Sequence, residues 1–186
     1  RDLGVSASFM PKMNIEGSPQ AFSSSMSIHH SLVDAKGESL FYDESSIDKQ
    51  SSLMKQWTAG ILASMKGAIS YLCPTINSYR RYQNETAAPT SNNWDKDNKK
   101  SAVRTISESK KGCRIEQRIA SSDANPYLAL ATIYAGGLAG IAGRLELTEE
   151  HQKLSPGLPY SALNLPNNIR LAADTLRQDS ILNDAF

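Results

Sequence analysis

The chain has 186 residues, enough for one domain with a sizeable core, and its 40% hydrophobic and 21% charged content is ordinary for a globular protein. A formal net charge of +1 excludes a global field favouring nucleic acid or an acidic membrane surface. No apolar run approaches the roughly 18 residues of a membrane span, and the two cysteines, Cys73 and Cys113, form neither a metal spacing nor a disulfide framework, which fits a reducing cytoplasm.

Residues 8–33 read as an extended, serine-rich segment. At its end Met26, Ile28, His30 and Leu32 alternate with Ser27, His29, Ser31 and Val33, the period of a strand. A turn at Asp34-Ala35-Lys36-Gly37 then leads to Leu40-Phe41-Tyr42, the pattern of a hairpin with a glycine-containing loop. His29 and His30 are adjacent, so on a strand they face opposite ways and cannot chelate one metal together. His30 is expected to be a neutral histidine satisfied by a hydrogen bond.

Leu53, Met54, Trp57, Ile61, Leu62, Met65, Ile69 and Leu72 recur at three- and four-residue steps, which predicts an amphipathic helix from Ser52 to Leu72 closed by Pro74. Gly60 and Gly67 inside it each cost up to about 1 kcal/mol against alanine, and close helix packing would explain them. From Tyr79 to Lys111 the chain reads as a polar loop, interrupted by a strand candidate at Ala102–Ile106. Further on, Ser122 or Asp123 is expected to cap a helix with Pro126 in its first turn, running from Tyr127 to Ile141. Its alanine and glycine content and lack of charge predict a buried helix. A connection with Pro156 and Pro159 precedes an amphipathic helix over Asn167–Arg177, with Ile169, Ala172, Ala173 and Leu176 facing inward.

Cys113 to Ile119 carries the strongest chemical signal. With period two, Cys113, Ile115, Gln117 and Ile119 share one strand face, and Arg114, Glu116 and Arg118 line the other. Two guanidinium groups around one carboxylate suit either a solvated ion-pair ladder or a receptor for phosphate and carboxylate groups, which arginine binds through paired N–H donors. Arg80-Arg81, Lys99-Lys100, Arg104 and Lys110-Lys111 add basic groups in the preceding loops. Converging on Arg114 and Arg118, they would make a polyphosphate site. No glycine-rich phosphate loop, nucleophile elbow or local Cys/His metal motif is present, so a catalytic metal would need carboxylates, Glu116 first among them.

Four segments in order carry a resemblance: Phe9-Met10-Pro11-Lys12; Met26-Ser27-Ile28-His29-His30-Ser31-Leu32; Pro74-Thr75-Ile76-Asn77-Ser78-Tyr79-Arg80-Arg81; and Arg114-Ile115-Glu116-Gln117-Arg118 with Asp123-Ala124-Asn125-Pro126-Tyr127-Leu128-Ala129-Leu130. Over residues 8–143 they resemble the catalytic domain of the glutamine synthetase family. The resemblance implies an α+β fold, an antiparallel sheet with packed helices like that of guanido kinases. It also implies that residues 1–186 are the C-terminal portion of that domain, without the N-terminal β-grasp domain and the first metal-binding glutamates. The start at Arg1 rather than Met fits a piece of a larger protein, expected to be inactive alone.

By the same resemblance, such enzymes use ATP and Mg²⁺ or Mn²⁺ to phosphorylate the glutamate side chain, then displace phosphate with ammonia or an amine. Their active sites lie between subunits of a cytoplasmic homo-oligomeric ring. Glu116 would bind metal, and Arg81 and Arg118 would bind glutamate. His29, Ser31, Arg104, Lys111 and Arg114 would line the ATP site, with Arg104 and Lys99 as its catalytic groups. Three positions depart from the family pattern. Ser27 stands where a metal-binding histidine is usual, Lys99 where an arginine contacts the phosphates, and Ala87 where ammonia-using members carry a glutamate. Ala87-Ala88-Pro89, followed by Trp94 and Asp97-Asn98, resembles the γ-glutamyl-polyamine and γ-glutamyl-amide branch. The expected function is therefore a ligase joining glutamate to an amine or ammonia. The alternative is a catalytically impaired homologue serving as a regulatory or structural subunit.

Overall fold

The computed structural model describes residues 3–13, 23–82, 88–148 and 165–186. Ala87, Pro156 and Pro159 lie outside these residues. The elements in chain order are β1 (Ile28–His30), α1 (Ser52–Leu72), α2 (Ile76–Tyr79), β2 (Trp94–Lys96), β3 (Val103–Ile106), β4 (Arg114–Gln117), α3 (Pro126–Ala142), α4 (Ile169–Arg177) and α5 (Ser180–Ala185).

Four strands form one sheet in the order β1-β4-β3-β2. β4 pairs antiparallel with both β1 and β3, but β2 runs parallel to β3, so the sheet is mixed rather than wholly antiparallel. Parallel neighbours normally need a long crossover. Here β2 has only three residues, so the link over 97–102 has a short distance to return before Val103 pairs with Trp94. Asp97 makes the reversal with a left-handed backbone, φ 51°, a conformation aspartate tolerates better than most residues. The expected hairpin turn forms as well. Gly37 takes φ 83°, and Asp34 Oδ1 accepts from the backbone N–H groups of Lys36 and Glu38, both at 2.8 Å.

α1 begins and ends where its apolar spacing predicts. Ser51 caps it by accepting from the Met54 N–H at 3.1 Å, and Cys73 N–H closes the last turn on Ile69 O at 2.8 Å. Its buried face carries Met54, Trp57, Ile61, Leu62, Met65, Ile69 and Leu72 and packs between the sheet and α3. Gly60 faces Gly136 and Gly140 of α3: a Cβ on Gly60 would overlap the Gly136 carbonyl oxygen and lie 2.7 Å from Gly140 Cα. Glycine is required there because the two backbones touch.

Several expectations change. The cap of α3 is Asn125, whose side chain accepts from the N–H groups of Tyr127 and Leu128; Ser122 and Asp123 lie too early in the chain. α3 is not buried all round. Its small residues meet α1, while Tyr127 (82% exposed), Leu130 and Leu138 face outward, because low polarity does not fix which sides of a helix are covered. In α4, Ala172 is buried but Ile169 is exposed, since Ile169 opens the helix next to its Asn168 cap. The polar region from Tyr79 contains β2, and the chain ends in α5. Cys73 and Cys113 are buried free thiols, and among the described residues no helix is long and apolar enough to cross a membrane.

Candidate functional site

The sheet turns one face to α1. Cys113, Ile115, Gln117 and Ile119 are buried there, with Cys113 Sγ 3.8 Å from Met54 Sδ. His30 of β1 lies on this side. Its Nε2 accepts from the Trp57 indole N–H at 3.0 Å, and burial, helped by the His29 charge, lowers its pKa to about 4. The indole bond meets the expectation of a neutral, hydrogen-bonded histidine at Nε2, while the buried Nδ1 makes no hydrogen bond of standard geometry.

Alternation puts the charged residues on the opposite face. Register aligns His29 of β1, Glu116 of β4 and Arg104 of β3 in one cross-strand row. Glu116 is the centre of the group and is only 6% exposed. Its Oε2 accepts from Arg104 Nη1 at 3.1 Å, and its Oε1 lies 3.3 Å from Arg118 Nε and 3.5 Å from His29 Nε2. Burial alone would raise the Glu116 pKa. The hydrogen bonds from Arg104 and Ser27 and the charges of His29 and Arg118 outweigh it, so the carboxyl sits below its usual range.

Around this centre Arg114 donates through Nε to His29 Nδ1 at 3.1 Å and through Nη1 to Gly112 O at 2.7 Å. Arg104 Nε and Nη2 both donate to Asp97 Oδ1, the Nε bond at 3.0 Å. Arg118 keeps two buried N–H positions, Nε and Nη1, that make no hydrogen bond; Nε is close enough to Glu116 for ionic attraction but is not aligned to donate. Undirected guanidinium donors of this kind suit a carboxylate or phosphate oxygen.

The structure thus brings together Ser27, His29, Arg104, Arg114, Glu116 and Arg118. The other expected residues lie apart from this group. Arg81, 1% exposed, donates from Nη1 to Ile119 O at 3.2 Å, just beyond Arg118, and lies over the Tyr82 ring. Ser31 is exposed past the end of β1, and Lys99 and Lys111 are exposed on the turns before β3 and β4. Asp97, which no role had singled out, joins the cluster through Arg104. In the sequence it stands out only through the Asp97-Asn98 pair of the branch resemblance, which carries no contact with Arg104.

Among the described residues no group of three or more His, Cys, Asp or Glu side chains could hold a metal. Glu116, His29 and the Ser27 hydroxyl supply part of a donor set, well short of the six oxygens that Mg²⁺ prefers, and the nearby arginines oppose a cation. The donors present therefore fit an anion and do not by themselves fit a complete metal cage.

Comparison with known proteins gives the family. The family model described as glutamine synthetase, catalytic domain, matches residues 1–186. A γ-glutamylethanolamide synthetase of Streptomyces coelicolor is 36% identical over 186 residues, covering 98% of this chain and 37% of its own. A glutamine synthetase of Methanococcus maripaludis is 34% identical over 195 residues, covering 98% and 41%. A γ-glutamylputrescine synthetase of Escherichia coli is 37% identical over 143 residues, covering 77% and 29%. The chain thus spans less than half the length of each of these relatives. With a family match over every residue and this identity along nearly its full length, the chain belongs to the glutamine synthetase catalytic-domain family.

Proposed function

We propose that the protein carrying this chain is a cytoplasmic, ATP-dependent ligase that joins the γ-carboxyl of glutamate to an amine or ammonia through a γ-glutamyl phosphate. The observation that carries the reading is the in-register row His29–Glu116–Arg104 flanked by Arg114 and Arg118. Phosphoryl transfer is catalysed mainly by positioning and by neutralising charge on oxygen, and guanidinium groups on a rigid sheet do both. Arg104 and Arg114 would hold the phosphates. Arg118, with its two undirected N–H groups, would take the glutamate carboxylate. Arg81, held at Ile119, would stand behind it.

A divalent metal, when bound, would supply further neutralisation of phosphate charge, with Glu116 as its ligand from this chain. The remaining ligands would come from outside the described residues. Two of the relatives are named for organic amines, ethanolamine and putrescine, and Ala87 lacks the carboxylate that would attract ammonium. An organic amine is therefore favoured over ammonia. A ring of subunits would complete the site.

The full-length protein, given ATP, glutamate, Mn²⁺ and a panel of amines and ammonia, should release phosphate with at least one of them. Release with none overturns the ligase reading. One observation favours a second reading, a catalytically impaired subunit: Ser27 offers Glu116 a neutral hydroxyl where an imidazole is usual, and a hydroxyl is a weaker ligand. In that case Ser27→His with Lys99→Arg should add activity to an inactive parent.

A further inference from the structure

Arg104 lies between two carboxylates. Nε and Nη2 donate to Asp97 Oδ1, and Nη1 alone reaches Glu116 Oε2. An arginine facing one carboxylate prefers the paired, two-bond geometry. Asp97 holds the Nε–Nη2 edge of the guanidinium while Nη1 meets Glu116, and so sets the plane of the group.

The turn is built to deliver this carboxylate. Asp95 Oδ1 accepts from Lys96 N–H at 2.8 Å, and its Oδ2 from Asn98 Nδ2 at 2.9 Å. Asn98 Oδ1 accepts from Lys100 N–H at 2.9 Å. Asp97 N–H donates to Thr105 O at 2.9 Å, next to Arg104, and its left-handed backbone turns the side chain toward the strand. Asp97 is half-exposed, so it does not serve the core.

We infer that Asp97 is a positioning residue: it grips the Nε–Nη2 edge of Arg104, fixes the plane in which Nη1 meets Glu116, and so holds the guanidinium where it faces an anionic substrate oxygen. The identity of that anion, a nucleotide phosphate, rests on the ligase reading; the positioning of Arg104 does not. Two variants separate charge from backbone. Asp97→Gly removes the carboxylate and suits a positive φ, whereas Asp97→Asn keeps an oxygen acceptor and also tolerates that backbone.

The test uses the full-length protein and two readouts. Phenylglyoxal modification of Arg104, followed by peptide mass spectrometry with exposed Arg80 as internal reference, should become several-fold faster in Asp97→Gly and change little in Asp97→Asn. In turnover, Asp97→Gly should raise the KM for ATP about tenfold, the worth of one charged hydrogen bond, with the KM for glutamate within about twofold and Asp97→Asn close to wild type. Unchanged Arg104 labelling in Asp97→Gly overturns the inference, and so does an equal rise in both KM values. If wild-type protein turns over no ATP, the ligase reading falls, and the labelling result decides the positioning by itself.

Discussion

Arg114 reaches across the β1–β4 pair and donates from Nε to His29 Nδ1 at 3.1 Å. A guanidinium N–H only donates, so with His29 neutral Nδ1 is the acceptor and the ring's own N–H is Nε2, facing Glu116 Oε1 at 3.5 Å. One arginine therefore fixes how the imidazole addresses the central carboxylate. Arg114→Lys keeps the charge but loses the fork that spans His29 and Gly112. The KM for ATP should rise about tenfold in steady-state titrations of the full-length protein, with the unfolding midpoint unchanged. An unchanged KM would place the nucleotide elsewhere.

Arg118 has two buried N–H groups without hydrogen bonds. Lysine offers a compact charge and no fork, so Arg118→Lys should raise the KM for glutamate by about ten- to a hundredfold and leave that for ATP nearly unaltered. Initial rates at varied glutamate decide it. A loss confined to ATP would reverse the assignment of the two ends of the site.

Gly60→Ala or Gly140→Ala puts a methyl group into the place where α1 and α3 touch. Each neighbour there is backbone, which cannot swing aside. Denaturant unfolding should show a loss of about 1–3 kcal/mol or more for either variant. The exposed Gly4 and Gly37 meet nothing within 4 Å; a side chain there would meet only backbone strain.

His30 predicts an acid-dependent loss of stability. Burial lowers its pKa from 6.5 to about 4, so the unfolded chain binds the proton first as pH falls. The stabilisation is fully present above about pH 6.5 and disappears progressively toward pH 4, on the order of 3 kcal/mol in all. Denaturant titrations at several pH values in that window should show a steeper loss for wild type than for His30→Gln. Equal slopes would mean that His30 charges as readily in the fold as outside it.

Local periodicity made much of this site legible. Arg114, Glu116 and Arg118 share a face because strand alternation puts them there, and α1 follows its apolar steps from Ser52 to Leu72. What escaped depends on neighbours distant in the chain. Asp97 meets Arg104 only because β2 runs parallel to β3, and a three-residue strand leaves too little pattern to reveal its direction. Asp123, which reads as a helix cap, instead accepts hydroxyl hydrogen bonds from Thr75, Ser78 and Ser121 and ties α2 to the loop after β4. Its spacing from Pro126 satisfied the capping rule, yet Asn125 stands closer.

The hydrogen bond from Trp57 to His30 gives the core an optical indicator. Trp57 is buried among His30, Phe41 and Tyr134, whereas Trp94 sits on the edge strand β2. In a Trp94→Phe background the remaining indole emission reports whether its imidazole partner still accepts. Acid titration would then register protonation of His30 as a change of light.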